Sequence, residues 1–366
     1  MNAQVLRVVV KRREMGDTAR KHLQVLCGLE RLPLMMADVE IEIKGVPVAV
    51  VNALRRVAID EMLGHALYLP LEDSTTPNPT TEKFMLHEYI GRQVGHLPLR
   101  YHIPTEVVDK LRLQLDKTNK GTKPLNVYAG DLEIVAGEMP EPLFNPTTRL
   151  GSIEPGKRLV LRDIRIETGY GRDDSKFQVA RRGAYRHLDI PQYTDEEMRQ
   201  KGGAAVDESG YKVSCMVADP RHHVLTACLP AVPADPTEVH TVFTDACVAI
   251  KDRLRLIKTA IERHGETASE RSAQRGIQYT VVQLGDERYE ALLQVPNETH
   301  TIGELLRRIV FELEPNVSNV SYVVAERRMV LTLRHSEDVT GLLLKAITHS
   351  VGIFDDLQRG ISLARK

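Results

Sequence analysis

Two segments of this chain are versions of one another. Residues 50–59 read VVNALRRVAI, and residues 302–311 read IGELLRRIVF. The offset is constant at 252 residues (307 less 55): Arg55 falls on Arg307, Arg56 on Arg308, Leu54 on Leu306, Val57 on Ile309 and Val50 on Ile302. In each copy apolar residues recur at helical spacing around a pair of arginines. A helix that occurs twice, far apart in one chain, predicts two related halves facing each other across a pseudo-twofold axis. That is an architecture for joining things.

At 366 residues the chain exceeds the usual limit for one core, so two or three domains are expected. Its 42% apolar and 27% charged content is that of a folded soluble protein. No apolar run approaches the roughly 20 residues that span a bilayer. The opening MNAQVLRVVVKRRE puts its basic residues after its apolar run, the reverse of a secretory signal, so an intracellular protein is expected. Cys27, Cys215, Cys228 and Cys247 form no CxxC pair and read as free thiols of a reducing compartment. A net charge of −1 lacks the excess of Lys and Arg that nonspecific nucleic-acid binding needs. With 5% aromatics and no Trp, base-stacking platforms are also not expected.

Residues 1–33 read as a peripheral extension, with a short amphipathic helix over Thr18–Leu29. DVEIEIKG (38–45) alternates at period two and predicts a strand. After the Gly45–Pro47 turn the first repeat helix runs to about Leu63, with Val50, Ala53, Leu54, Val57 and Met62 on one stripe. Residues 71–83 are turn-rich. Short strands then alternate with turns, as in LRLQL (111–115), LEIVA (132–136), RLVLRDIRIE (158–167) and YKVSCMVA (211–218), and 194–210 reads as a loop. The whole of 71–235 is therefore read as a β-rich insert splitting a module made of 34–70 and 236–263.

Residues 240–263 are strongly helical, with Phe243, Cys247, Ile250, Leu254, Ile257 and Ile261 on one face. Residues 264–276 are a small, polar linker. A compact second module follows at 277–366: two strands, the second repeat helix, two strands and a long helix from about Asp338 to Leu363. That helix carries Leu343, Ile347 and Phe354 on its apolar face. The two long helices have apolar faces too wide to leave in water, and packing them together would bury both. The expected interface between the halves is Val50, Leu54 and Val57 with Ile302, Leu305, Leu306 and Ile309, backed by the long helices. The fold class is α+β.

These residues resemble the α-type assembly subunits of multisubunit DNA-directed RNA polymerases. NALRR (52–56), EYIGRQVGHLPL (88–99), YAGDL (128–132) and PGKRLVLRDIRIETGYGRDDSKF (155–177) resemble, in order, motifs of the third-largest subunit and its archaeal D-like equivalent. ETHTIGELLRRIVFE (298–312) is similar to the hallmark of the eleventh subunit and its archaeal L-like equivalent. The resemblance spans about 38–366, and third-then-eleventh order on one chain resembles nucleocytoplasmic large DNA viruses of the asfarvirus type. It implies two α-type dimerisation modules forming an intramolecular pseudo-dimer. It implies a monomeric platform, without catalytic residues or cofactor of its own, that binds two large catalytic subunits and small platform subunits. The Mg²⁺ is expected on the large subunits, contact with DNA only through the complex, and no membrane. The expected location is the cytoplasmic viral factory and the virion. The family's double-arginine helix faces a large subunit, so Arg55 and Arg56, and with them Arg307 and Arg308, are the expected docking residues.

The chain departs from the family at Asp174 and Phe177, where the motif carries His and Trp, and at Glu304, where it carries Asn. It lacks the cysteine-rich metal loop of many third subunits. One cluster offers a different function: DPRHH (219–223) with Cys215 and Cys228 could serve a stand-alone metal-dependent enzyme. Against this, adjacent histidines on a strand point to opposite faces. The same residues read more simply as a hydrogen-bonded turn. GYGRDD (169–174) lacks GxxxxGK and reads as a tight turn.

Overall fold

In the computed structural model of the chain, residues 3–12, 34–70, 84–139, 143–191, 216–233, 237–263, 276–284 and 288–364 are described. Strand β1 (Gln4–Arg12) pairs antiparallel with β2 (Leu34–Lys44), the strand predicted from DVEIEIKG. Residues 4–12 are thus part of the sheet, a correction to the peripheral extension expected for 1–33. QVLRVVV has strand composition, but its partner lies beyond the reach of a local pattern. The expected helix at 18–29 lies outside the described residues. Gly45, at φ +85°, turns the chain towards α1 (Val48–Arg56), for which Pro47 is the N-cap. The helix then widens into a π turn over Val57–Glu61 and stops at the extended Met62.

An insert follows. It contains β3 (Leu63–Tyr68), α2 (Phe84–Gly95), α3 (Thr105–Lys110), β4 (Arg112–Thr118), β5 (Leu125–Tyr128), β6 (Glu133–Ala136), β7 (Arg149–Ile153) and β8 (Arg158–Tyr170). The strands form one sheet in the order β3-β8-β4-β6 and a β5-β7 pair. Leu113, Leu115, Leu150, Ile153, Leu161 and Ile164 make its core. EYIGRQVG lies on α2, so this part is less purely β than expected.

Two boundaries move. Strand β3, expected in the first module, pairs with β8 of the insert. Strands β9 (Arg181–Pro191) and β10 (Met216–Pro233), expected in the insert, complete the first sheet in the order β1-β2-β10-β9. The expected 71–235 insert therefore ends before β9. Alternation marks a strand but not the sheet it joins. Residues 71–83, 194–210 and 264–275 lie outside the described residues.

Helix α4 (Thr237–Glu262) closes the first half. The second half runs β11 (Gln278–Gln283), β12 (Tyr289–Pro296), α5 (His300–Leu313), β13 (Asn319–Ala325), β14 (Arg328–His335) and α6 (Val339–Leu363). Its sheet order, β11-β12-β14-β13, matches that of the first half strand for strand once the insert is set aside. The match extends to single hydrogen bonds: Gly45 N donates to Arg221 O at 2.8 Å, and Asn297 N donates to Arg327 O at 2.5 Å. Gly45 and Asn297 are 252 apart (297 less 45), and both have positive φ. The long helices also align, at an offset of 100 (354 less 254), which puts Phe243 on Leu343, Cys247 on Ile347 and Leu254 on Phe354.

The halves pack through their helices. Helix α4 lies along α6, α1 against α5, and α5 against α6. Val50, Leu54, Val57, Phe243, Cys247, Ile250, Leu254 and Ile257 from the first half share one buried cluster with Ile302, Leu305, Leu306, Ile309, Leu343, Ile347 and Phe354 from the second. Among the described residues no helix is long and apolar enough to cross a membrane.

Candidate docking surface and the junction between the halves

The apolar stripe of each short helix enters the shared core, which turns the arginines away from it. Arg55 donates through Nε and Nη2 to Asn52 Oδ1 at 3.0 and 2.9 Å, and through Nη1 to Gly183 O at 3.4 Å. Arg307 repeats the pattern, donating to Glu304 through Nε at 2.7 Å and Nη2 at 2.6 Å. The family Asn and its replacement Glu304 therefore hold the same arginine, one turn back. Arg308 is half exposed and lies 3.4 Å from Glu312, whose side chain is buried. The second arginine of the first helix differs. Arg56 Nε donates to Thr301 Oγ1 at 2.9 Å, across to the other half. All four expected residues thus lie at or near the surface, and Arg56 is in addition built into a junction between the halves.

That junction centres on Glu61, which ends the π turn with only 2% of its surface exposed. Arg253 of α4 donates to Glu61 Oε2 at 2.5 Å and to its backbone oxygen at 2.9 Å. From the second half, Thr299 and Thr301 donate their hydroxyls to Glu61 Oε1 at 2.8 and 2.6 Å. Thr299 is also the N-cap of α5, accepting from Thr301 N. Burial pushes the Glu61 carboxyl up, but the Arg253 charge and the bonds from Thr301, Arg253 and Thr299 outweigh it and hold the group below the usual glutamate range. Glu298, also buried, lies 3.8 Å from Arg253 Nε. Here burial wins: it pushes the carboxyl up, the neighbouring Glu61 adds to the rise, and Arg253 offsets it only in part. Sequence reasoning missed this cluster. One signal was available: Glu61 falls four residues after Val57 on a stripe that is otherwise apolar.

The two carboxylates have opposite linkage. Glu61 is easier to ionise in the fold than in the unfolded chain, so it adds stability above the ordinary glutamate range and loses it as pH falls through its depressed value. Glu298 is harder to ionise, so its charge subtracts stability above its raised value, and that loss is recovered as pH falls. Glu298→Gln is therefore expected to raise the urea midpoint at pH 7, with a smaller gain at pH 4. Glu61→Gln is expected to lower the midpoint at pH 7. Equal effects from the two substitutions would show that the carboxylates are not differentiated.

The DPRHH segment lies within β10 and clips the entry to α1. Asp219 Oδ1 accepts from Arg221 N at 2.8 Å. His222 Nε2 is 2.8 Å from Glu42 Oε1, while His223 Nε2 bonds the Val46 carbonyl at 3.0 Å in the interior. Arg221 reaches Glu312 of the second half at 3.5 Å. The two histidines have separate partners, as strand alternation requires. Among the described residues no three His, Cys, Asp or Glu side chains are grouped to hold a metal; Cys215 lies outside them. Cys228 and Cys247 are buried, and burial pushes the thiol of Cys247 up to about 12. GYGRDD forms a turn in which Asp173 N and Asp174 N both donate to Tyr170 O, and Asp173 pairs with Arg327 of the second half at 3.4 Å.

No family model matches the chain. It is similar to curated proteins of three isolates of African swine fever virus, from Kenya, Malawi and Badajoz, each named DNA-directed RNA polymerase RPB3-11 homolog. Each is 33% identical over 345 residues, which covers 91% of this chain and 89% of the relative.

Proposed function

Because this chain belongs to the family of DNA-directed RNA polymerase RPB3-11 homologues, we propose that it is the assembly platform of a viral transcription complex, holding two large catalytic subunits together. The observation that carries this reading is the duplication. Two ββαββα units with the same sheet order share one core, so the chain forms a pseudo-dimer that presents two similar surfaces in a fixed relation. Fusion enforces one-to-one stoichiometry and holds each half at an effective concentration of about millimolar for the other. The chain contributes no catalytic residue; nucleotide chemistry and its Mg²⁺ belong to the large subunits. It works as a monomer within the complex, with small platform subunits beside it, in the host cytoplasm and in the packaged virion.

Arg55, Arg307 and Arg308 are the docking residues of this reading. A guanidinium held by one neighbour keeps donors for a partner's carboxylates and carbonyls, and its planar fork gives the contact direction. Arg56 contributes by holding the helix in place. The test is co-purification of large subunits with the tagged chain from its native system, with RNA synthesis assayed in the same fraction. Arg55→Glu combined with Arg308→Glu is expected to reduce the captured large subunits about tenfold or more while the chain still folds, as circular dichroism checks. Unchanged capture would remove these arginines from the interface. A lone chain, without large subunits or synthesis, would refute the platform.

A further inference from the structure

The halves are repeats, yet among the described residues the Glu61 junction occurs only once. The offset that puts Arg56 on Arg308 puts Val46, Pro47 and Ala49 on Glu298, Thr299 and Thr301. The matched hydrogen bonds of Gly45 and Asn297, one residue earlier, fix that alignment in three dimensions. Where the second half offers a carboxylate and two hydroxyls, the first offers a valine, a proline and an alanine. None of these three carries a side-chain donor or acceptor. On the long helices, Arg253 aligns with Ile353, so the guanidinium is also confined to one half.

Consider the first half paired with another copy of itself. Glu61 would then face Pro47 and Ala49, losing the hydroxyls that Thr299 and Thr301 bring to 2.8 and 2.6 Å. Arg253 would face Val46 in place of Glu298. The carboxylate keeps Arg253 and Arg56 of its own half, but losing both hydroxyls costs more than the bonds themselves, because its desolvation is then offset only in part. The second half restores every partner at once. Discrimination between two partners can rest on polar groups left unsatisfied against the wrong one.

We propose that the Glu61–Arg253 pair selects the second half as the partner of the first and rejects a second copy of the first half. The inference rests on the paired-halves part of the proposed function and on no contact with a large subunit. The selection matters during synthesis. The first half is complete before the second exists, and its apolar surface would otherwise be free to pair with its own kind.

A protease site placed within residues 264–275, and cut after the full chain has folded, releases the choice from the tether. The nicked protein is allowed to exchange partners in mild urea and is then weighed by native mass spectrometry. Wild-type pieces are expected to form first–second pairs, with first–first pairs scarce. A chain carrying Pro47→Thr and Ala49→Thr gives the first half its own hydroxyls, and its first–first pairs are expected to rise about tenfold. Thr299→Ala with Thr301→Ala, which asks the fold to accommodate no added bulk, should erode the preference from the other side. First–first pairs at the statistical proportion in the wild type, or a ratio unmoved in both variants, would overturn the proposal. Pieces that separate into single halves would instead overturn the pairing of the halves on which it rests.

Discussion

Glu61→Leu is expected to lower the stability of the chain by about 3–5 kcal/mol, the cost of removing one member of a buried ion pair. The Glu61 side chain is 1% exposed and that of Arg253 19%, so water cannot take over from the missing carboxylate. The substitution leaves a guanidinium without its main counter-charge, and two threonine hydroxyls without their acceptor. Glu298 is too distant, at 3.8 Å from Arg253 Nε, to replace the close contact. Urea unfolding followed by far-ultraviolet circular dichroism measures the effect. The double variant Glu61→Leu with Arg253→Leu removes the orphaned charge and should recover most of the loss. If the double variant is as unstable as the sum of the singles, the two residues do not act as a pair. The sign with pH follows from the depressed carboxyl. The difference between wild type and Glu61→Leu should be greatest near neutrality and shrink as acid protonates Glu61.

The repeat and the element order were legible because both rest on local patterns. VVNALRRVAI and IGELLRRIVF show their helical stripe without help from the rest of the chain, and both long helices announce their faces at a spacing of three and four. Sheet membership was not legible. Strand β10 carries the same alternation whether it pairs with β2 or with a strand of the insert, and only the three-dimensional path decides. Strand β1 escaped for the same reason. The paired arginines were legible as a repeat, but their separate contacts within the chain were not. Arg56 and Arg308 occupy the same place in the repeat. Thr301 opposite one and Glu312 one turn beyond the other send them to different tasks. The junction was the least legible feature, since it joins Glu61, Arg253 and Thr301 from three separate stretches. A lone glutamate on an apolar stripe marks such a site, but its partners come only from the fold.

Phe354→Ala tests whether the halves truly share one core. The ring is fully buried on α6, the helix with the most extensive packing against α4. Truncation is expected to cost about 3–5 kcal/mol, from lost burial and from a cavity that two long helices cannot easily collapse. The more telling outcome is where the loss appears. Phe354 shares a cluster with Leu254 and Val50 of the first half, whereas Leu113 and Leu150 belong to the separate core of the insert. Hydrogen exchange in Phe354→Ala should therefore accelerate in β2 and α4 as much as in β12 and α6, and less in β4 and β7. Leu113→Ala should do the reverse, loosening the insert while β12 keeps its protection. Two halves that merely touched would behave differently, with Phe354→Ala loosening the second half alone. Only a shared core carries the damage from one half to the other, and only a shared core would hold the two partner surfaces of the proposed platform in a fixed relation.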